Sequence, residues 1–291
     1  GVVTETTTDP SAGSAAVFES AQCLYISSAY DSENDRVVIA YWDNGNSDYG
    51  TAVVGTVSGT SISFGTPVVF NSATTPYIGM AFDSTNNKVV IAYRDGGNFN
   101  YGTAIVGTVS GTSISFGSEV VYESANSTYN SVVDIGGGKV VIAYTDNGNS
   151  SYGTAVVGTV SGTSISFGTP VVYDSSAIVY PSATYDSTNN KVVIAYRNNS
   201  DYGAAIVGTV SGTSISFGSP VVFNSSQTNY ISVVDIGGGK VVIAYQDAGN
   251  SNYGTVIEGT VSGTSISFGS ELIFESASSL KTSAAYDSTN N

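Results

Sequence analysis

The sequence predicts an all-β protein made of tandem four-stranded antiparallel sheets, and three observations carry that prediction. The first is repetition. GTVSGTSISFG begins at Gly55, Gly107, Gly158, Gly208 and Gly259, and VVIAY begins at Val37, Val89, Val140, Val192 and Val241, so two independent markers share one period near 51 residues. A fixed period of this size marks radial or linear repeat architectures. The second is composition: charged residues make up 11% of the 291 residues, against about 25% in ordinary globular proteins, and Gly, Ser, Thr, Asn and Tyr are abundant. The third is periodicity, since no useful stretch places apolar residues at i, i+3, i+4 and i+7. With 41% hydrophobic residues in β-branched clusters, the chain has enough apolar surface to build a core instead of remaining disordered.

The second repeat shows the expected layout. A first strand runs near Tyr77 to Phe82 and turns at Asp83-Ser84-Thr85-Asn86-Asn87. The second, Lys88 to Arg94, reads KVVIAYR and is apolar on both faces, as a strand covered on each side must be. A polar loop, Asp95 to Asn100, leads into a third strand from Tyr101 to Val109, and Ser110-Gly111 reads as a two-residue hairpin turn. Ile114 and Phe116 then alternate with Ser113 and Ser115, so the fourth strand is apolar on one face, and it continues through Val120 and Tyr122. One such sheet cannot hide both of its faces, so copies must stack. The predicted fold is a β-propeller of four-stranded blades, with a linear array of similar sheets as the rival arrangement.

The whole chain, 1–291, reads as one repeat domain: repeats at 25–72, 77–124, 129–175, 180–225 and 230–276, with partial blades at 1–20 and 280–291. First strands are expected to start near Tyr25, Tyr77, Tyr129, Tyr180, Tyr230 and Lys281. Gly1 to Thr4 and Ala16 to Ser20 resemble the end of a further repeat. Val54, Val106, Val157 and Val207 should pack between blades, yet the fifth copy has Glu258 there, which implies a less covered face.

Composition also excludes chemistries. With no His and one Cys (Cys23), there is no Ser-His-Asp or Cys-His catalysis, no imidazole ligand, no disulfide framework and no Cys-ligated zinc. A net charge of −15 repels nucleic acid, and no apolar run is long enough for a membrane helix. A glycosidase could act through two carboxylates without His, but the acids here follow the repeat pattern and no pair stands apart, so no catalytic residue is assigned.

Binding is therefore sought where the copies differ. In an up-and-down blade the second-to-third and fourth-to-first connections leave from the same end, making that end the candidate binding face. The residue after VVIAY is Trp42, Arg94, Thr145, Arg197 or Gln246, and the loops that follow supply Asp43, Asn46 and Asp48; Asp95 and Asn98; Asp146 and Asn149; Asn198 and Asp201; and Asp247 and Asn250. The other connections vary likewise, from Gln22-Cys23-Leu24 to Gln227-Thr228-Asn229. Planar amides and carboxylates beside aromatic rings suit a sugar, whose hydroxyls need directed hydrogen bonds and whose ring faces pack on aromatics. Against this stands the plain reading that tight, wet loops are polar and variable. The ligand-binding candidates are Trp42, Arg94, Arg197, Gln246 and these loop residues. No cofactor is expected, although calcium at Asp43, Asp48 and Asp95 is weighed because D-x-G-N loops supply oxygen donors; Asx-turn chemistry explains the same residues. The recurring Tyr49, Tyr101, Tyr152, Tyr202 and Tyr253 are expected to pack blades.

The segment YDSTNNKVVIAY followed by GTVSGTSISFG resembles the repeat unit of extracellular bacterial and phage β-propeller proteins. The sialidase S-x-D-x-G-x-T-W box and the WD and kelch signatures are absent, so the resemblance brings no active-site residues. It implies a secreted, cell-surface or virion-associated protein. The expected function is non-enzymatic recognition or adhesion through a glycan or cell-surface ligand. The alternative is a structural repeat of a fibre, spike or filament that partners copies of itself.

Overall fold

The structure, a computed structural model, describes residues 13–287. Five four-stranded antiparallel sheets follow one another along these residues. In blade I the strands are Cys23–Asp31, Arg36–Asp43 and Tyr49–Ser58, and the outer strand comes in two pieces, Ser61–Phe64 and Val68–Thr74. Blades II to V repeat this plan on Lys88–Asp95, Lys139–Asp146, Lys191–Arg197 and Lys240–Asp247 as second strands. Each second strand is buried on both faces because each carries Val, Ile and Ala on either side of the pleat. The apolar clusters accordingly lie between blades. One joins Val54 and Phe70 of blade I to Val89, Ile91 and Tyr93 of blade II, and three others join II to III, III to IV and IV to V.

The first strands sit side by side around one axis. Ser131 Oγ accepts from Ala183 N–H (3.0 Å), Ser182 Oγ from Val233 N–H (3.1 Å) and Ser232 Oγ from Ala284 N–H (3.1 Å), linking successive blades. Tyr25, Tyr77, Tyr129, Tyr180 and Tyr230 stand ring to ring at 4.8, 4.9, 5.2 and 5.4 Å. All five, with Lys281, line a common cavity of about 730 Å³. Strands that converge on one cavity are stacked radially, so the fold is a β-propeller and the linear array is set aside.

Several details differ from the sequence reading. The outer strand is broken: Gly117 N–H donates to Val106 O at 2.9 Å, and a Cβ on Gly117 would stand 1.9 Å from Thr163 O of the next blade. The hairpin turn is Gly111-Thr112, because Ser110 pairs with Ser113. Gly111 takes φ +61°, which that turn requires. Outer and inner strands run together as Val120–Gly136 and Val221–Gly237, each serving two blades. The repeated Tyr is therefore a bend within the chain path, with φ between 50° and 58° in every blade, and not simply a strand start. Around Lys281 (φ 53°) the backbone bends in the same way, yet 279–287 forms no strand, because no second strand lies beside it among the described residues. Tyr49, Tyr101, Tyr152 and Tyr253 are half-buried and Tyr202 is exposed at the loop end. The tyrosines that pack blades are the fully buried Tyr41, Tyr93, Tyr144, Tyr196 and Tyr245. Glu258 is 48% exposed beside Lys240, 2.8 Å away, as expected of a less covered face. Gly1 to Thr4 and the chain beyond Asp287 lie outside the described residues.

Gly117→Ala is expected to lower unfolding stability by about 3 kcal/mol, the upper range for overpacking against rigid neighbours, measured by urea denaturation. A loss under about 1 kcal/mol would show that the seam yields.

Candidate functional site at the loop end of the blades

Both variable connections meet at one end. Asn44 N–H donates to Gln22 O (3.1 Å), Gly96 N–H to Thr74 O (2.9 Å) and Ile178 N–H to Ser151 O (3.0 Å), tying each second-to-third loop to a fourth-to-first connection. The loops share a backbone because the sequence builds the same turn repeatedly. Asp43, Asp146 and Asp247 cap short 3-10 turns through their carboxylates, and the residues before the third strand take left-handed φ, as at Ser150 (56°) and Ser151 (60°).

That chemistry sorts the candidate residues. Asp43, Asp95, Asp146 and Asp247 are buried, and their carboxylates accept backbone N–H groups of their own loops, for example Gly97 N–H to Asp95 at 2.9 Å and Gly249 N–H to Asp247 at 3.0 Å. They hold the loops and present nothing to solvent. Asn198 does the same with its amide oxygen, accepting from Ser200 and Tyr202 N–H. Asp48 accepts from Asn44 Nδ2 at 2.9 Å. Asn46, Asn149, Asp201 and Asn250 are exposed, and Asn98 is half-buried. Of the residues weighed for calcium, Asp43 and Asp95 spend carboxylate oxygens on N–H groups of their own loops, and no group of three or more Asp, Glu, Cys or His side chains gathers among the described residues.

The position after VVIAY is where the blades diverge in space. Trp42 meets Tyr25 edge-on at 6.3 Å, while the Arg94 and Arg197 guanidinium groups lie over Tyr77 and Tyr180 at 5.0 and 5.3 Å. Thr145 Oγ1 donates to Ile178 O (3.3 Å), and the Gln246 amide bridges Asn229 and Ser279 O, so this position reaches the following blade. Arg197 does so too, through Asn229, and pairs with Asp201 at 3.5 Å. Trp42 Nε1 and Arg94 Nε are buried donors with no hydrogen-bond partner among the described residues. Buried donors of this kind are rare and ask for an explanation.

Between blades III and IV these elements enclose a pocket of about 260 Å³. Its lining brings Thr145, Asn147 and Ser151 of blade III together with Arg197, Asn198 and Asp201 of blade IV and the apolar Ile178 and Val179 of the connection between them. Ser151 Oγ donates to Asn147 Oδ1 at 2.9 Å and Asn147 Nδ2 to Thr128 Oγ1 at 3.0 Å, fixing the amide. Arg197, Asn198 and Asp201 were legible candidates. Tyr129, Asn147, Ser151, Ile178 and Val179 join them only through the fold. Their signal in the sequence was position: each lies in or beside a connection that the shared end brings together.

No protein-family model and no curated protein sequence matches the chain. Solved structures match its fold. The lectin BP39L from Burkholderia pseudomallei superposes with a TM-score of 0.62 at 11% identity, covering 83% of this chain and 68% of its own. SapL1, a lectin solved with α-methyl fucoside, gives 0.56 at 11% identity over 87% and 79%. The Aleuria aurantia lectin, a six-bladed β-propeller that recognises fucose, gives 0.52 at 12% identity over 86% and 79%. What they share with this chain is the propeller. A microbial sialidase, Hz136, is similar at 0.53 and 11% identity over 78% and 50%.

Burial shifts several acids of the blades. It raises the Asp146 carboxyl above its ordinary range against the opposing pull of the Asn149 and Gly148 N–H groups, and it raises Glu123 and Asp235 likewise. Burial, with the Glu19 and Asp43 charges, also raises the Cys23 thiol, which favours its protonated form. The three acids bind protons more readily in the folded chain than unfolded, so protonation favours the fold and stability falls as pH rises through their titration. The thermal midpoint is expected to climb as the pH is lowered from neutrality toward the carboxylate range, with a shallower climb in Asp146→Asn. A midpoint that drops on acidification over this interval would contradict the assignment.

Proposed function

We propose that this chain is a non-enzymatic carbohydrate-binding propeller, displayed outside the cell, that holds sugars between blades at its loop end. One observation carries the reading. On nearly identical scaffolds, the position after VVIAY sets Trp42, Arg94 and Arg197 against the Tyr of the inner-strand bend, and Thr145 and Gln246 there bond to the connection toward the next blade. The lining of the pocket between blades III and IV combines a guanidinium, amides and hydroxyls with the apolar Ala177, Ile178 and Val179, which matches the mixed polar and apolar character of one pyranose ring. The fold likeness to lectins solved with or described as recognising fucose supports a glycan ligand. Related sites on one molecule would add weak single contacts through effective concentration. A low-charge surface rich in Ser, Thr, Asn and Gly fits exposure outside the cell.

Glycan-array binding by the purified chain tests the reading. Retained signal in the presence of a chelator is expected, because side-chain donors and not a cation make the contacts. Arg197→Ala should weaken binding at the blade III–IV site about tenfold, the loss of one charge-assisted hydrogen bond. The alternative, a fibre or spike component, draws on the apolar outer face of blade V at Leu272 and Phe274. Ordered self-assembly with no sugar bound by any array spot would favour it.

A further inference from the structure

We propose that the outer face of blade V is an acceptor for the second and third strands, with the short SISF return, of one further repeat of this same sequence type. The molecule contains its own controls. At the four internal seams an outer-strand ring, Phe70, Tyr122, Tyr173 or Phe223, is 6–8% exposed, because it packs on the VVIAY Tyr and the SISF Phe of the next blade. Phe274 is the fifth such ring and is 57% exposed. At the opposite end, residues 13–22 fill the equivalent place on blade I, with Phe18 against Tyr41 at 5.2 Å and Phe64 at 5.9 Å.

A glycine slot gives the same contrast. A Cβ on Gly65, Gly117, Gly168 or Gly218 would lie 1.9 Å from a Thr carbonyl of the next blade's turn, whereas a Cβ on Gly269 would meet only Glu258 O at 3.9 Å. The slot is nevertheless formed, for Gly269 N–H donates to Glu258 O at 3.0 Å as its counterparts donate at 2.8–3.0 Å.

Geometry also sets what fits. Lys281, Thr282 and Ser283 line the axial cavity together with Tyr25 and Ile26. Thr282 and Ala284 hydrogen-bond to Tyr230 and Ser232 of blade V, so the chain after Ser278 continues the inner-strand path, while Phe18 takes the outer-strand place before blade I. Beside that continued inner path no second or third strand lies among the described residues. A second whole copy does not fit, because its blade I already carries its own residues 13–22. Glu258 stands where the other blades place a buried Val and pairs with Lys240, so docking buries a charge pair. The proposal stands whether or not the rim binds sugar.

The test uses the full chain with a synthetic peptide copying Lys139–Phe167. A one-to-one complex is expected by native mass spectrometry, with hydrogen-exchange protection at Leu272–Ser278 and along residues 279–287, which would pair with the docked second strand. Gly269→Ala should leave the thermal midpoint of the chain alone unchanged and weaken peptide binding at least tenfold. Glu258→Val should tighten it about tenfold, since the internal blades carry Val106, Val157 or Val207 at this position with Lys88, Lys139 or Lys191 at the place of Lys240. Equal binding by the parent and Gly269→Ala, equal binding of a scrambled peptide, absence of binding, or protection of Leu272–Ser278 by self-association without peptide would each overturn the proposal.

Discussion

The structure depends on one constraint: a strand that is apolar on both faces must be covered on both faces. VVIAY has no polar side to turn to water, so the second strand of each blade needs a neighbour above and below. The core of this protein consequently lies between blades and not within them, in clusters that each draw on two successive repeats. Close approach follows from the same need. Ala and Gly recur in the third strands, and the outer strand breaks at a glycine that seats a Thr backbone from the next blade. Radial stacking satisfies all of these contacts with one repeated joint.

A repeated joint leaves little freedom for function within the blades. The residues that look most chemical in the sequence, the loop aspartates, are recruited by that scaffold to hold turns. Their carboxylates accept N–H groups that a tight loop would otherwise leave unpaired. Freedom remains at the position after VVIAY, which leaves the seam at its loop end and meets the Tyr bend of the inner strand. There a change of side chain costs the fold little, and Trp, Arg, Thr and Gln all occur. The bend itself places five Tyr residues in a left-handed conformation, which costs roughly 1–2 kcal/mol for a non-glycine residue. Ring contacts between successive tyrosines offset part of that cost.

The ends of the array depart from the repeat in a physically consistent way. Where a following blade would bury a Val, the last copy carries Glu258 with Lys240. Where a following Tyr would complete the collar, it carries Lys281. Both changes put charge on surface that is more open than its counterparts. They moderate an edge that would otherwise be a flat apolar face, a recognised hazard for strand proteins.

Much of this was legible in the sequence. The period, the strand types, the inter-blade valines and the shared end of the two variable connections follow from spacing and alternation, because those are properties of neighbours along the chain. Glu258 could be read as exposed for the same reason, since its four counterparts define what the position does. Other features belonged to the tertiary structure alone. That Asp43, Asp95, Asp146 and Asp247 turn inward, while Asn147, Ser151 and Ile178 meet Arg197 across a seam, depends on how one blade sits against the next. Residues about 20 to 50 positions apart came together there, and only the stacking angle of two sheets, which no local pattern encodes, decided which of them share a pocket.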